Sequence, residues 1–510
     1  MPTPPRSHPT LPPTSRSIWF DRTAGDVGNY GTAVPRQVDC LVIGAGVAGL
    51  ATAVRLADRG VDVAVVDAGA VAGGATGYSS AKVSVLHGLA AQEIESVRDR
   101  RTALAYVEAN RHGFDWIDRR RRDRGRDFAW ETRPAVTYAV HGASLPAVTR
   151  EVELLNAAGL GGESTQPGLP FSTAGAVRLA DQAQFDPVSF LRDLADEVVE
   201  GGGAVCEGVR VTGVRDGRNG VRVETDQGSI SARWAIAATG LPSFDRGLFF
   251  ARTEPQSSYV VACDVEAMPP EGMFLSHDGP KRSLRTAPAP DDGRPLLLVG
   301  GESHKTGQGG DTLERYRRLA RWADEHFGVR SVTHRFMTED FTTPDSIPFA
   351  GRLHPGPTSV LVATGFNKWG FTNGVAAAAV NAAIVTGDDP PTWADAMSST
   401  RLPVAGATEL LRANLDVGAH LTGGWLNTLV PRRHPRPGHG RVVARGLDRV
   451  AVSVDEHGEE CRVSGVCPHL GAILAWNEAE ETWDCPLHGS RFTRRGALLH
   501  GPAVDDLASK

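Results

Sequence analysis

Residues 39–67 read DCLVIGAGVAGLATAVRLADRGVDVAVVD, and this stretch decides the fold of the first part of the chain. Residues 39–44 form an apolar run typical of a short buried strand. The glycine-rich turn 44–49 follows directly, and residues 50–59 then show helical periodicity. A strand, a glycine turn and a helix in this order predict a dinucleotide site in an α/β sheet.

The spacing of three glycines explains how such a turn holds a diphosphate. Gly44 permits the tight turn, Gly46 lets the backbone approach the phosphates, and Gly49 lets the helix pack closely on the strand. The next predicted strand, residues 61–66, ends at Asp67, which is 18 residues after Gly49 and suitably placed for a ribose hydroxyl. The predicted cofactor contacts in this stretch are Gly44, Ala45, Gly46, Val47, Ala48, Gly49, Asp67 and Ala68.

Three later glycine-rich segments favour FAD over NAD. Residues 73–83 (GGATGYSSAKV) are dense in small residues, whose free amides and hydroxyls suit the lining of a cofactor site. Residues 234–238 predict an apolar strand that ends in the turn 239–242, and residues 360–363 predict another that enters 364–374 (TGFNKWGFTNG). Three such strand ends, far apart in the sequence, indicate one long cofactor held by one domain.

Length and composition limit the remaining possibilities. At 510 residues the chain exceeds what one hydrophobic core usually supports, so we expect two or three domains. A formal net charge of −6 gives no basic field of the kind that nucleic-acid binding requires, so we expect no nucleic-acid partner. We also expect no membrane span, since the sequence has no run of about 20 apolar residues.

Cysteine usage and the N-terminal composition indicate the compartment. Six cysteines are too few for a disulfide scaffold, and a reducing compartment suits metal ligation better than cross-linking. Residues 1–17 are rich in Pro, Ser and Thr and lack the apolar core of a secretory signal. We therefore expect a disordered leader and a cytoplasmic protein.

Two short cysteine–histidine motifs lie near the end of the sequence. Cys467 and His469 form a C-x-H motif, and Cys485 and His488 form a C-x2-H motif after the 15 intervening residues 470–484. Two thiolates and two imidazoles are the ligand set of a Rieske [2Fe–2S] centre. The same four ligands could in principle form a tetrahedral zinc site.

Several motifs together resemble the glycine/D-amino-acid oxidase family of FAD-dependent enzymes. They are residues 44–49, Asp67, residues 74–82, Thr239-Gly240, Thr343-Pro344-Asp345 with Gly351, and residues 365–372, so the likeness covers about residues 37–390. The resemblance implies an α/β Rossmann-type FAD-binding domain with an interleaved antiparallel-sheet substrate domain. It also implies that Val211 contacts the adenine through its backbone.

The same resemblance implies further FAD contacts and a non-covalent cofactor. Some members attach the flavin through a cysteine shortly before the Thr-Pro-Asp element or a histidine in the first glycine-rich run. Residues 334–343 contain no Cys and residues 73–82 contain no His, so we expect FAD to be bound non-covalently. The further predicted contacts are Gly74, Ala75, Thr76, Ser80, Ala81, Lys82, Val211, Thr239, Gly240, Gly351, Gly365, Phe366, Asn367, Gly370, Phe371 and Thr372.

The two C-terminal motifs resemble the Rieske domain family over about residues 436–506. His-Leu-Gly and His-Gly-Ser-x-Phe follow the ligands, and residues 441–444, 450–455 and 461–464 predict short strands. This context favours a Rieske cluster over zinc. The predicted metal ligands are Cys467, His469, Cys485 and His488.

Two departures from the Rieske pattern predict the properties of the cluster. Ala472 and Leu487 stand where high-potential members carry a pair of disulfide-forming cysteines, so we expect no disulfide between the ligand loops. Ser490 keeps a hydroxyl for a cluster sulfur, whereas Phe492 replaces a tyrosine donor. With one hydrogen bond lost, we expect a potential in the lower part of the roughly −150 to +300 mV range.

The predicted fold class is an α/β Rossmann-type FAD-binding domain with an interleaved antiparallel-sheet substrate domain, plus a small all-β Rieske domain. We divide the chain into a Pro-rich leader (1–36), an FAD-dependent oxidoreductase region (37–400), a helical linker and tether (401–435) and the Rieske domain (436–510). The oxidoreductase region divides into FAD-binding parts (about 37–110, 176–250 and 335–395) and substrate parts (about 111–175 and 251–334).

Residues beside the flavin provide the candidates for catalysis. His304 and Lys305 lie in a stretch that resembles this FAD family and could reach the substrate face, although a purely structural role is the alternative. Lys368 and Trp369 lie next to the predicted flavin contacts, where a cation would favour the anionic reduced ring. We predict these four residues as catalytic.

Together these patterns predict an FAD-dependent dehydrogenase that oxidises a small amine or amino acid and passes the electrons through the Rieske cluster to an external acceptor. The fusion suits electron splitting, because the flavin carries two electrons and the cluster one. One alternative is an NAD(P)H- or ferredoxin-linked reductase, although no second GxGxxG after a strand is evident. The other is a redox sensor or electron carrier without a substrate of its own.

Overall fold

The computed structural model describes residues 9–23, 30–218, 220–291, 293–401, 425, 428 and 434–510. Within them, two large sheets precede residue 401 and two small sheets follow residue 440. This is the architecture that the sequence predicts.

The elements are numbered in chain order. The strands are β1 (Gln37–Ile43), β2 (Val63–Val66), β3 (Lys82–Val83), β4 (Glu131–Ala139), β5 (Glu163–Thr165), β6 (Gly175–Gln184), β7 (Ala204–Cys206), β8 (Val211–Gly217), β9 (Gly220–Thr225), β10 (Gly228–Ala237), β11 (Glu254–Val265), β12 (Met273–Ser276), β13 (Arg282–Ala287), β14 (Leu296–Lys305), β15 (Val329–Thr342), β16 (Phe349–Arg352), β17 (Val360–Thr364), β18 (Gly440–Arg445), β19 (Asp448–Val454), β20 (Glu460–Ser464), β21 (Ala475–Asn477), β22 (Thr482–Asp484), β23 (Arg491–Thr493) and β24 (Leu498–His500). The α-helices are α1 (Ile18–Arg22), α2 (Val47–Ala57), α3 (Ala90–Val97), α4 (Arg100–Asp123), α5 (Leu145–Ala157), α6 (Pro187–Glu200), α7 (Thr312–Phe327) and α8 (Gly370–Thr386).

The first large sheet has eight strands and a parallel centre. Its order is β16-β17-β10-β1-β2-β7, and the hairpin of β8 and β9 continues from β10. β1 pairs in parallel with both β10 and β2, so that Ile43 lies opposite Ala237 and Val66. The carboxyl ends of these three strands therefore meet at one edge, which is where open α/β sheets bind their ligands.

Two glycines at this edge are required by close approach of the backbone. Gly44 has φ +111, and a Cβ there would lie 2.5 Å from the carbonyl oxygen of Ala238. A Cβ on Gly49 would lie 1.9 Å from the carbonyl oxygen of Gly44. The turn and the start of α2 can therefore pack against β1 and β10 only with glycine at these positions.

The second large sheet has nine strands and is mostly antiparallel. Its order is β15-β11-β14-β13-β12-β4-β6-β3, with β5 beside β3 on the edge of β6 that faces away from β4, and among the described strands only the pair β12–β4 is parallel. The sequence assigns the ranges 37–110, 176–250 and 335–395 to FAD binding. Three strands in or at the edge of these ranges, β3, β6 and the end of β15, nevertheless belong to this antiparallel sheet. They belong to this sheet because β3 and β4 both pair with β6, and β15 pairs with β11 along its length.

Two small antiparallel sheets follow near the end of the chain. The order is β18-β19-β20 in one and β21-β22-β23-β24 in the other. The predicted strands at 441–444, 450–455 and 461–464 agree with β18, β19 and β20 to within two residues. Trp483 and Phe492 are fully buried in the core between them.

The N-terminal segment packs against the first domain, which differs from the expected disordered leader. Ile18 and Trp19 are fully buried, and their burial anchors the described residues 9–23. The Ser17 hydroxyl donates to the Gly77 carbonyl (2.6 Å), and the Trp19 indole donates to the Ser79 carbonyl (2.9 Å). Residues 1–8 lie outside the described residues.

One guanidinium joins three distant parts of the chain. Arg335 on β15 donates to the carbonyl oxygens of Pro12 (2.8 Å) and Pro13 (2.7 Å) in the N-terminal segment. It also donates to the carbonyl oxygen of Ala479 (2.8 Å), in the hairpin between β21 and β22. The N-terminal segment and the C-terminal sheets are thus held to the same strand.

The predicted linker lies almost wholly outside the described residues. This holds for the two short helices that we expect in the linker, at 409–417 and 421–429, apart from residues 425 and 428, and for the first three residues of the extended tether expected at 431–440. Among the helices that are described, each is too short or too polar to cross a bilayer.

Candidate functional site

A cavity of about 830 Å³ is lined by both large sheets and by the C-terminal sheets, a volume typical of cofactor and ligand sites. Most of the predicted cofactor contacts line it. They are Gly44, Gly46, Val47, Ala48, Asp67, Ala68, Gly74, Ala75, Thr76, Ser80, Ala81, Lys82, Val211, Thr239, Gly240, Phe366, Asn367, Gly370 and Phe371.

The other predicted contacts do not belong to the cavity lining of the described residues. They are Ala45, Gly49, Gly351, Gly365 and Thr372. Gly49 and Gly365 serve close packing, since a Cβ would lie 1.9 Å from the Gly44 carbonyl oxygen and 2.5 Å from a Thr343 methyl group. These five residues therefore lie outside the cavity lining and do not contact its interior.

One end of the cavity suits the diphosphate and ribose of a dinucleotide. A Cβ on Gly46 would meet only the Thr76 hydroxyl, at 3.4 Å, so the backbone here is open to a ligand. Asp67 follows β2, and its two carboxylate oxygens accept from the amides of Ala45 (2.7 Å) and Gly69 (2.8 Å). Burial raises the pKa of Asp67. The residues present therefore fit the predicted dinucleotide at this end.

The other end of the cavity is formed by a strained turn between β17 and α8. Asn367 and Lys368 have φ values of +54 and +69, a region that residues other than glycine rarely adopt. Side chains hold this turn, because the Lys368 amide donates to the Asp340 carboxylate (2.5 Å) and the Asn367 amide group donates to the Gly365 carbonyl (2.8 Å). Trp369 is the N-cap residue of α8, whose positive end lies at the cavity.

Two predicted catalytic residues, Lys368 and Trp369, line this end of the cavity. The Lys368 ammonium donates to the Ser303 hydroxyl (2.7 Å), and burial followed by the charge of Lys281 lowers the pKa of Lys368 to about 8. The Trp369 ring stacks on His87, with centroids 4.4 Å apart and planes 13° apart. Burial lowers the pKa of His87 to about 3, so its imidazole is neutral.

The other two predicted catalytic residues, His304 and Lys305, do not line the cavity in the described part of the chain. The His304 ring lies 2.9 Å from the Tyr259 hydroxyl and 2.8 Å from its neighbour's carbonyl oxygen, and burial lowers its pKa to about 4. The Lys305 ammonium lies 3.9 Å from Glu254. The prediction that both reach the substrate face is corrected. His304 does not reach the cavity because the side chains of β14 alternate and its neighbour Ser303 takes the cavity position. Lys305 is the last residue of the strand, and its side chain lies near Glu254 instead.

Sequence reasoning missed several polar residues that do face the cavity. Lys281, on the loop before β13, brings a second ammonium group near Lys368. Ser258 and Ser303 lie on neighbouring strands with their hydroxyls 2.9 Å apart. The alternation of β14 could have revealed Ser303, but no local signal marks Lys281.

The four predicted metal ligands come together in two pairs. The thiol groups of Cys467 and Cys485 are hydrogen-bonded to each other, which lowers the pKa of Cys467 to about 7. The rings of His469 and His488 have centroids 5.1 Å apart. Among the described residues, no three His, Cys, Asp or Glu side chains converge on a single point.

Several buried ring nitrogens of this centre have no hydrogen-bond partner within the described residues: Nδ1 of His469, and Nδ1 and Nε2 of His488. Buried polar atoms are normally paired, so such atoms indicate a ligand. One pair of thiols beside one pair of imidazoles fits a diiron cluster with one iron on each pair. Ser490 lies beside Cys467, as predicted, and all six cysteines are free of disulfides.

The metal-ligand loops pack against the flavin-binding half of the molecule. The Phe250 ring meets the His488 ring edge to face, with centroids 5.2 Å apart. The Gln308 side chain donates to the Pro486 carbonyl (3.1 Å), between the two ligands of the second loop. Burial, followed by the charges of His469 and Lys305, lowers the pKa of His488 to about 4.

The fold and these two centres define a flavin-dependent oxidoreductase that carries a Rieske domain. The family model for FAD dependent oxidoreductases matches residues 39–384, and the model for the Rieske [2Fe-2S] domain matches residues 428–509. The chain belongs to the FAD-dependent oxidoreductase (DAO) family and has a C-terminal Rieske domain. It binds FAD and a [2Fe–2S] cluster, which confirms both cofactor predictions and excludes the zinc alternative.

Curated relatives agree with this two-part assignment. The "Putative Rieske 2Fe-2S iron-sulfur protein YhfW" of Bacillus subtilis is 32% identical over 475 residues, which cover 92% of this chain and 93% of the relative. Cytochrome b6-f complex iron-sulfur subunit 2 of Cyanophora paradoxa is 39% identical over 88 residues, covering 16% of this chain and 34% of that protein.

Solved structures share the fold of the larger region. L-proline dehydrogenase from P. horikoshii has a TM-score of 0.58 at 18% identity and covers 70% of this chain and 95% of its own. Glycine oxidase from Geobacillus kaustophilus has a TM-score of 0.59 at 17% identity and covers 72% of this chain and 100% of its own. The predicted fold class is confirmed.

Proposed function

We propose that this protein oxidises an amino acid and passes the electrons through its Rieske cluster to an external acceptor. The observation that carries the proposal is that the Rieske domain forms part of the cavity wall. Arg491 lines the FAD cavity and lies only three residues after the proposed ligand His488. When bound, FAD supplies a two-electron acceptor and the cluster a one-electron carrier. The three residues of backbone from His488 to Arg491 thus give a short covalent path from the proposed cluster ligand to the FAD cavity.

The proposed ligand sets follow from the geometry. Cys467 and Cys485 would hold one iron, and His469 and His488 the other. The cavity-lining residues predicted from the sequence would hold FAD, with the diphosphate at the start of α2 and the flavin ring near Trp369.

The charge at the flavin end favours an amino acid over a simple amine. Lys281 and Lys368 both line the cavity, and the Asp340 carboxylate nearby already accepts from two backbone amides. Two ammonium groups at one end suit a substrate carboxylate. The similar folds described above include an L-proline dehydrogenase and a glycine oxidase, and both names refer to amino acids.

The chain's own residues then bind and orient the substrate. Ser303 fixes the Lys368 ammonium by a 2.7 Å hydrogen bond, and the stack on His87 fixes the Trp369 ring. Oxidation removes a hydride from the carbon beside nitrogen, for which bound FAD would be the acceptor, and releases a proton from the nitrogen to water, which leaves an imine. The cluster, when bound, would let the two electrons pass singly to the external acceptor.

Anaerobic titration of the purified holoenzyme tests the proposal. Amino acids and their decarboxylated amines should be compared as a matched series, with visible spectra for the flavin and low-temperature EPR for the cluster. We expect amino acids to reduce both centres and the amines to reduce neither efficiently. Reduction of the flavin while the cluster stays oxidised would contradict the electron path, and rapid reduction by NADH alone would favour the reductase alternative.

A further inference from the structure

Several polar atoms without hydrogen-bond partners among the described residues lie where the Rieske domain contacts the FAD-binding region. We call this contact region the seam. Glu339 on β15 is 5% exposed, and neither of its carboxyl oxygens has a hydrogen-bond partner among the described residues. The Nε2 atom of His500, on β24 of the Rieske domain, is also inaccessible and unpaired there, although the His500 side chain as a whole is 27% exposed. The two side chains face each other at 3.6 Å, which is too long for a hydrogen bond, and both line the FAD cavity.

The neighbouring polar groups also have partners of their own. The Thr306 hydroxyl lies beside Glu339 and lowers its pKa, and it is 2.8 Å from the Ser257 hydroxyl. The Arg491 guanidinium donates to Asp484 (3.2 Å) and to Thr482 (3.3 Å). A buried carboxyl group short of partners is costly, so the described residues leave a place here for a polar group of a bound ligand.

The chemistry of the pair identifies the part of FAD that it would meet. Burial raises the pKa of Glu339 to about 8 and lowers the pKa of His500 to about 4, so both groups are neutral near pH 7. The other charged groups that face Glu339 are Arg491, Asp484 and Asp340. A neutral carboxyl group and a neutral imidazole suit hydroxyl groups, which both donate and accept, better than an anionic diphosphate.

We infer that Glu339 and His500 hold hydroxyl groups of FAD from the two sides of the seam, so that FAD binding and docking of the Rieske domain stabilise each other. A second contact supports this: the Arg210 guanidinium donates to the Leu498 carbonyl (2.9 Å), and both residues line the same cavity. Because coupling between two binding events is reciprocal, each event strengthens the other equally. The inference goes beyond the proposed function, since it requires neither a substrate nor electron transfer.

The release of FAD from the holoenzyme tests the inference without any turnover. The variants are Glu339→Leu, His500→Ala and the milder His500→Asn, with His457→Ala as a control because His457 is an exposed histidine of the same domain. FAD release after dilution is followed by flavin fluorescence, and EPR confirms that the cluster is retained. We expect about tenfold faster release in the seam variants and no change in the control.

Proteolysis supplies the reciprocal measurement. Added FAD should slow cleavage between the two domains in the wild-type protein, and this protection should weaken in His500→Asn by the factor found for FAD release. Release within twofold of wild type in both Glu339→Leu and His500→Asn would overturn the inference, because the unpaired atoms would then bind only water. The same conclusion would follow if FAD gave equal protection to wild type and variants.

Discussion

The metal-ligand loops and the substrate end of the cavity are built in opposite ways. The four proposed cluster ligands lie within residues 467–488, on two loops whose own backbone positions them. The substrate end combines His87, Lys281, Ser303 and Lys368, which come from separate strands and loops. A site confined to neighbouring loops has its geometry set locally, whereas an assembled site depends on the pairing of whole sheets.

The largest expected effect is the loss of the cluster when a residue of the metal-ligand loops is replaced. Replacing Cys485→Ser removes a thiolate ligand, so we expect complete loss of the cluster while flavin absorbance remains in the purified protein. Iron and labile-sulfide content, together with EPR, measure this. Cys461→Ser is the control, because Cys461 lies in the same domain outside the ligand loops. Loss of the cluster in the control as well would show that the ligand set is not confined to the two loops.

Substitutions at the substrate end of the cavity should weaken substrate binding by degrees and not abolish it. Lys368→Met removes one of two ammonium groups, and we expect KM for an amino-acid substrate to rise about 10- to 100-fold, as for a lost charged hydrogen bond. Lys305→Met removes a lysine that does not line the cavity and lies near Glu254, so it should leave KM unchanged. Steady-state kinetics compare them, and equal effects of both substitutions would contradict the assignment of Lys368 to the substrate carboxylate.

The pKa of Lys368 gives this site its own pH dependence. The ammonium is charged below its pKa of about 8 and loses its charge above it. Substrate affinity should therefore be retained at pH 7 and fall as the pH rises through 8, with the fall absent in Lys368→Met. A profile of KM between pH 6 and pH 10 measures this, and the same fall in the variant would assign it to another group.

The sequence was informative where chemistry is local and uninformative where it is assembled. The glycine turn, Asp67 and the C-x-H and C-x2-H motifs each lie on one short segment, and the structure brings their members together. His304 was misplaced because a motif does not show which face of a strand a residue takes. Lys281 and His500 were missed because only tertiary packing brings them to the cavity.

The smallest expected effect concerns an assembled ion pair behind the cavity. Burial would raise the pKa of Asp345, but hydrogen bonds and charges from Arg401 and Arg98 outweigh it and lower the pKa to about 2. The pKa is below the unfolded value, so this stabilisation of about 2 kcal/mol is present above pH 4 and is lost as the pH falls towards 2.

Asp345→Asn should therefore lower the unfolding midpoint at pH 7 and have less effect near pH 2. Flavin fluorescence during denaturation follows the transition. Asp388→Asn is the matched control, because Asp388 and Arg59 form an exposed pair at 3.2 Å that should contribute less than about 1 kcal/mol. Equal destabilisation at both pH values would rule out the ion pair as the cause.

The guanidinium of Arg335 has a consequence for biosynthesis. Its hydrogen bonds span 322 and 323 positions towards the start of the chain and 144 positions towards the end. Contacts of such long sequence separation form late, after the loops between them have closed. On the ribosome, residues 12 and 13 must wait until more than 300 further residues have been synthesised, so this segment reaches its final place later than much of the chain that follows it.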